Sequence, residues 1–114
     1  MSANTILVIV AVMIGALIVL TRLGKITGQR ARELVASGAR LVDVRTPSEF
    51  QRGHIDGAEN VPLDRLGDRA EALVKDARAI VVYCASGMRS ASAKRALKAA
   101  GAKEVYDLGG MSRW

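Results

Sequence analysis

Apolar and polar positions divide this chain into two unequal parts. Residues 6–20, ILVIVAVMIGALIVL, contain no charge and no strongly hydrogen-bonding side chain. Extended to Ala3 and Leu23, the run gives roughly 31 Å of helix, which matches the hydrocarbon thickness of a bilayer. Beyond it the apolar residues come in short clusters. Ala31, Leu34 and Val35 share a face of a helix over residues 30–37 that Gly38 ends. RLVDVR at residues 40–45 is a buried strand stopped by Thr46-Pro47, and Thr46 caps a short helix with Pro47 in its first position. Residues 53–62 hold two glycines and a proline and form a loop with a short extended piece at Asn60 and Val61. Residues 64–74 return to helical spacing through Leu66, Ala70, Leu73 and Val74, with Leu63 just ahead. AIVVY at residues 79–83 is a continuous β-branched run, the mark of a strand covered on both faces. A helix over residues 90–100, capped by Gly101, and a strand over residues 104–108 complete the pattern. Strands alternating with helices predict an α/β domain with a mainly parallel central sheet flanked by helices, behind one transmembrane helix. The expected division is a span over residues 3–23, a stem over 24–28 and a domain over 29–114.

Charge sharpens the reading of the apolar run. All 17 Lys and Arg and all 11 Asp and Glu follow it, so the net charge of +6 belongs to the folded part and its stem. A cleaved signal peptide needs a basic start and small residues at a cleavage site. Met1 to Thr5 carry no Lys or Arg, and the run ends in Thr21, Arg22 and Leu23, so an anchor is the preferred reading. Arg22, Lys25, Arg30 and Arg32 crowd its far flank, and positive charge stays cytoplasmic. The expected placement is a single-pass protein of the inner (plasma) membrane with its domain facing the cytoplasm. Ala11 and Gly15 share a helix face and give a weak signal for helix pairing. The basic domain does not predict nucleic-acid binding, because its cations alternate with acids and Phe50, Tyr83, Tyr106 and Trp114 form no stacking ladder.

Cys84 is the only cysteine in 114 residues, which excludes an internal disulfide and a Cys-x-x-Cys metal site and suits a reducing compartment. It stands between AIVVY and the following helix, at the head of CASGMRS. Ligands of open α/β sheets bind beyond the carboxyl ends of strands, where a helix start offers free N–H groups to an anion. Those amides, the helix dipole and Arg89 lower the pKa expected of Cys84 and favour a reactive thiolate over an inert buried thiol. Ala85, Ser86 and Gly87 are small, and Gly87 accepts the positive φ that turns successive amides inward.

DVRTPSEFQRGHIDGAENVP (residues 43–62), CASGMRS (84–90) and GGMSRW (109–114) together resemble the rhodanese domain, in order from about Thr27 to the last residue. The resemblance implies a parallel sheet flanked by helices and sulfur transfer through a cysteine persulfide. It implies Cys84 as nucleophile and Ala85, Ser86, Gly87, Met88 and Arg89 as the loop that binds the sulfur donor, with no cofactor and no metal. The expected substrates are a small sulfur-containing anion of the thiosulfate kind and a thiol or cyanide-like acceptor. A persulfide relay loaded by a partner protein is the alternative. Related phosphatases space their Cys and Arg by five residues; here four intervene, a tighter cradle suited to one sulfur atom. Asp43, Arg45 and Glu49 are expected to be architectural, with an Arg45–Glu49 ion pair tying strand to helix and Asp43 and Arg45 near the pocket rim. His54 is expected to fix its loop, and Trp114 to cover the core edge. Most rhodanese domains continue several residues past the position of Trp114, so the C-terminal edge is expected to be closed by a partner or the membrane.

Overall fold

The computed structural model describes residues 1–114, with the side chains of all but residues 21 and 22. The expected basic flank includes Arg22, whose side chain lies outside those described. The first helix, α1 (Ala3–Arg22), is capped by Ser2, whose hydroxyl accepts from the Thr5 amide at 3.2 Å. Its stretch Ala3–Leu20 is long and apolar enough to cross a membrane and has no part buried against the domain. An anchor and a signal sequence share that property.

The domain runs α2 (Gly28–Ala36), β1 (Arg40–Asp43), α3 (Pro47–Gln51), β2 (Glu59–Asn60), α4 (Leu63–Asp76), β3 (Ile80–Cys84), α5 (Met88–Ala99) and β4 (Val105–Gly110), with a short 3-10 turn at Met111–Arg113. The four strands form one sheet in the order β2-β1-β3-β4, and every neighbouring pair is parallel. The alternation of strands and helices dictates this, because each return to the same end of a parallel sheet needs a crossover. The strand period of two then sorts the core into two layers. Val42, Ile80, Val82 and Cys84 face one side, with Leu66 and Leu73 of α4 and Ala93 and Leu97 of α5. Leu41, Val81, Tyr83 and Leu108 face the other, with Ala31 of α2, and Trp114 packs partly buried against that layer, as expected of an edge cover. Arg32 donates to the Trp114 carbonyl and ties α2 to the end of the chain.

The caps follow the sequence. Thr27 accepts from the Arg30 amide at 3.1 Å and starts α2 two residues before the apolar periodicity does. Thr46 and Glu49 form a reciprocal capping box on α3. Residues 24–28, expected as a stem, make domain contacts: Lys25 bridges to Asp107, and the Ile26 amide donates to the Asp107 carbonyl at 2.9 Å.

Candidate active site

Four parallel strands end on one side of the sheet, and β3, in the interior, ends at Cys84. Its partner in register is Gly110 at the end of β4. After Cys84 the chain makes a three-residue turn into α5, and Gly87 caps that helix at φ +100. This left-handed conformation is open to glycine at little cost, and it turns the loop amides inward. The Gly87 amide donates to Cys84 Sγ at 2.9 Å. Ser90, in the first turn of α5, is fully buried, and its Oγ lies 3.6 Å from Sγ while donating to the Gly87 carbonyl at 3.1 Å.

Burial pushes the Cys84 thiol up, and the Ser90 side chain with the backbone amides of Ser90, Gly87 and Ser86 outweighs it, so the pKa falls below that of an ordinary thiol. The Gly87 amide, aimed at the sulfur, favours the charged form, and the Ser90 hydroxyl beside it can turn to do the same. Such an arrangement stabilises a thiolate.

The structure brings Cys84, Ser86 and Gly87 together. Ala85, Ser86 and Met88 are solvent-exposed, Met88 at 80%. Arg89 is held in a two-pronged ion pair: Nη1 and Nη2 donate to the two carboxylate oxygens of Glu49 at 2.7 and 3.0 Å. The Arg89 guanidinium, with help from Thr46, lowers the Glu49 carboxyl to about 2. A shallow hollow lined by Val44, Thr46, Pro62, Leu63, Asp64 and Arg89 lies beside this pair.

This overturns the expected Arg45–Glu49 pair. Arg45 turns back to Asp43, its Nη2 2.7 Å from Oδ2 and its Nε 3.0 Å from the same oxygen, and both side chains are buried. A carboxylate with no exposed surface demands a cation at hand, and Arg45, two residues on, supplies it without disturbing α3. Arg45 also donates to the Gly53 carbonyl at 2.7 Å and lies 5.8 Å from the centre of the Tyr83 ring. Asp43 and Arg45 are therefore interior and not at the expected pocket rim. Tyr83 accepts from the Ile55 amide at 3.2 Å, and burial raises its hydroxyl far above the phenol range. His54 stacks on Phe50 at 3.6 Å, with Nδ1 2.8 Å from the Phe50 carbonyl, which is the loop-fixing role expected of it.

Four residues have contacts at the site that sequence reasoning did not anticipate. Ser90 had a local signal, since it sits three residues past the capping glycine and a hydroxyl there reaches back into the loop. Glu49 and Asp107 had none, because their partners Arg89 and Lys25 lie 40 and 82 residues away. Gly110 had a partial signal in the Gly-Gly pair. A Cβ there would stand 2.7 Å from the Ala85 carbonyl oxygen, so only glycine lets β4 approach the loop this closely. Among the described residues no group of three His, Cys, Asp or Glu side chains stands ready to hold a metal.

A parallel α/β sheet thus delivers one cysteine into a short cradle of amides at a helix start. The model of a family of this architecture, the rhodanese-like domain, matches residues 27–114, and the chain belongs to that family. Over 77 residues it is 42% identical to uncharacterized protein YqhL of Bacillus subtilis (strain 168), covering 67% of this chain but only 60% of YqhL. It is 38% identical over 91 residues to thiosulfate sulfurtransferase GlpE of Ectopseudomonas mendocina, covering 79% of this chain and 83% of GlpE. Among solved structures, the rhodanese with anions from E. coli superposes with a TM-score of 0.62 at 33% identity, over 68% of this chain and 92% of that one.

Proposed function

We propose that this chain is a membrane-anchored sulfurtransferase that moves sulfane sulfur from a thiosulfate-like anion to a thiophilic acceptor through a Cys84 persulfide. The observation that carries the proposal is the amide cradle on Cys84 Sγ, above all the 2.9 Å bond from Gly87. The Cys84 thiolate attacks the outer sulfur of thiosulfate; the new sulfur–sulfur bond forms as the bond to the sulfonate breaks, and sulfite leaves with that electron pair. An acceptor thiolate or cyanide then takes the outer sulfur, and Cys84 departs as the thiolate it was. Ala85, Ser86, Gly87 and Met88 shape the cradle, whose amides hold the carried sulfur. Arg89 draws the anionic donor to the mouth, in exchange for part of its pairing with Glu49. The apolar α1 holds the domain at the inner membrane, facing the cytoplasm, on the strength of the basic residues that follow it.

The ion pair at Arg89 favours a second reading, a relay loaded by a partner protein with little thiosulfate turnover. A guanidinium already bound by a carboxylate on both prongs attracts a free anion less than an open one does. Intact-mass measurement of the full chain in detergent, incubated with thiosulfate, separates the two. A gain of one sulfur that requires Cys84 and disappears with cyanide establishes the enzyme; no gain from folded, reduced protein sinks thiosulfate as donor and leaves the relay.

A further inference from the structure

Lys25 lies outside the matched family segment, yet its side chain runs into the active-site loop and is only 14% exposed. Its Nζ donates to the Gly87 carbonyl at 3.1 Å and pairs with Asp107 Oδ2 at 2.9 Å. Asp107 is buried and aimed from β4, where its other oxygen accepts from the Gly109 amide at 2.8 Å. The stem of Lys25 packs over the two glycines of the site: a Cβ on Gly87 would meet its Cε at 3.2 Å, and one on Gly109 its Cδ at 2.9 Å.

The Gly87 carbonyl is thus contested. As the cap of α5 it gives one lone pair to the first bond of the helix, and a carbonyl oxygen has only two. The other is approached by Lys25 Nζ and by Ser90 Oγ, both at 3.1 Å. Ser90 has a single hydroxyl proton, and when Cys84 ionises the thiolate competes for it from 3.6 Å. Turning that proton onto sulfur strips a donor from a buried carbonyl, unless another donor is already in place.

We infer that Lys25 is a positioning residue for Cys84: by occupying the Gly87 carbonyl it frees the Ser90 hydroxyl to turn onto the thiolate. The inference rests on reading Cys84 as the sulfur carrier, and it adds a residue contributed from before the family segment. Its mark is coupling. Lys25 acts through Ser90, so removing Ser90 removes most of what Lys25 does to the cysteine.

The test is a double-mutant cycle on full-length protein in detergent, reading the pH midpoint of Cys84 alkylation by iodoacetamide. Lys25→Met is expected to raise the midpoint by about half a pH unit, which is roughly threefold less thiolate below both midpoints. In a Ser90→Ala background, whose own midpoint is already raised, the same change is expected to add almost nothing. Lys25→Arg, which keeps a donor, returns the midpoint toward wild type. Circular dichroism checks folding, and Lys25→Leu, which also lacks a donor, replaces Lys25→Met in the cycle should the methionine variant be unfolded. An unchanged midpoint, or equal shifts with and without Ser90, overturns the inference. Persulfide formation by the wild type is measured in parallel: its failure beside a coupled cycle overturns the proposed reaction and leaves Lys25 in place.

Discussion

The Arg89 guanidinium is half of an ion pair before any substrate arrives, and Glu49 holds the other half. Glu49 sits at the third position of α3, where the capping box with Thr46 fixes its carboxylate toward the start of α5. Glu49→Gln is expected to lower the KM for thiosulfate by about threefold with kcat little changed, the size of effect a half-exposed ion pair supports; steady-state kinetics checks it, and an unchanged or raised KM removes Arg89 from donor capture. The same pair has a pH signature. Its carboxyl titrates at about 2 in the folded state, against about 4.3 in an unfolded chain. A depressed folded pKa stabilises above the unfolded value and loses that contribution as pH falls from about 4.3 toward 2. Acid unfolding followed by circular dichroism should therefore be shallower across this window in Glu49→Gln than in wild type. Asp43 presents a different balance, since its partner Arg45 is interior. Asp43→Ala strands a buried guanidinium and is expected to cost about 3–5 kcal/mol in urea unfolding, as breaking a buried pair does.

Among the elements, β4 matters through its last two residues. Gly110 lies opposite Cys84 in register, and its Cα faces the Ala85 carbonyl so closely that an added methyl would need backbone to move. Gly110→Ala is expected to push the loop off Cys84, raising the alkylation midpoint and abolishing most persulfide formation, with a stability loss of about 1–3 kcal/mol from overpacking. A variant that keeps both the midpoint and the yield shows that β4 does not shape the loop. What was legible in the sequence follows the same division. The β-branched run before Cys84 and the Thr46-Pro47 start of α3 are local signals, and each produced the element expected, whereas α5 begins at Met88, two residues ahead of the expected start, because Gly87 caps it. β1 closes at Asp43 instead of running to Arg45, because the Arg45 amide donates to Asp43 Oδ1 at 2.9 Å and not to a neighbouring strand. α4 begins at Leu63 and reaches Asp76, two residues past the last apolar position, since a helix end can extend into solvent without an apolar face. The loop itself was legible because its cysteine, glycine and helix start are contiguous. The clamps around it come from residues 40 to 82 positions apart, and no pattern along the chain pairs Glu49 with Arg89 or Lys25 with Asp107.

At the scale of the whole molecule, the proposed anchor predicts behaviour that the domain alone lacks. Full-length protein should stay with the membrane pellet after alkaline carbonate extraction, and a membrane-impermeant maleimide should reach Cys84 in inside-out vesicles and not in right-side-out ones. Release by carbonate removes the anchor, and the opposite labelling pattern inverts the topology. The contacts of Lys25 and Ile26 with β4 then carry a consequence of reach. Between the end of α1 at Arg22 and the first of these bonds lie only Leu23 and Gly24, and two residues extend at most about 7 Å. With α1 in a bilayer the domain is on a very short leash. Its Cys84 loop then patrols a thin layer above the lipid headgroups, so a donor or acceptor confined to the same surface would meet it by two-dimensional diffusion, at an effective concentration that one dissolved in bulk solvent does not reach.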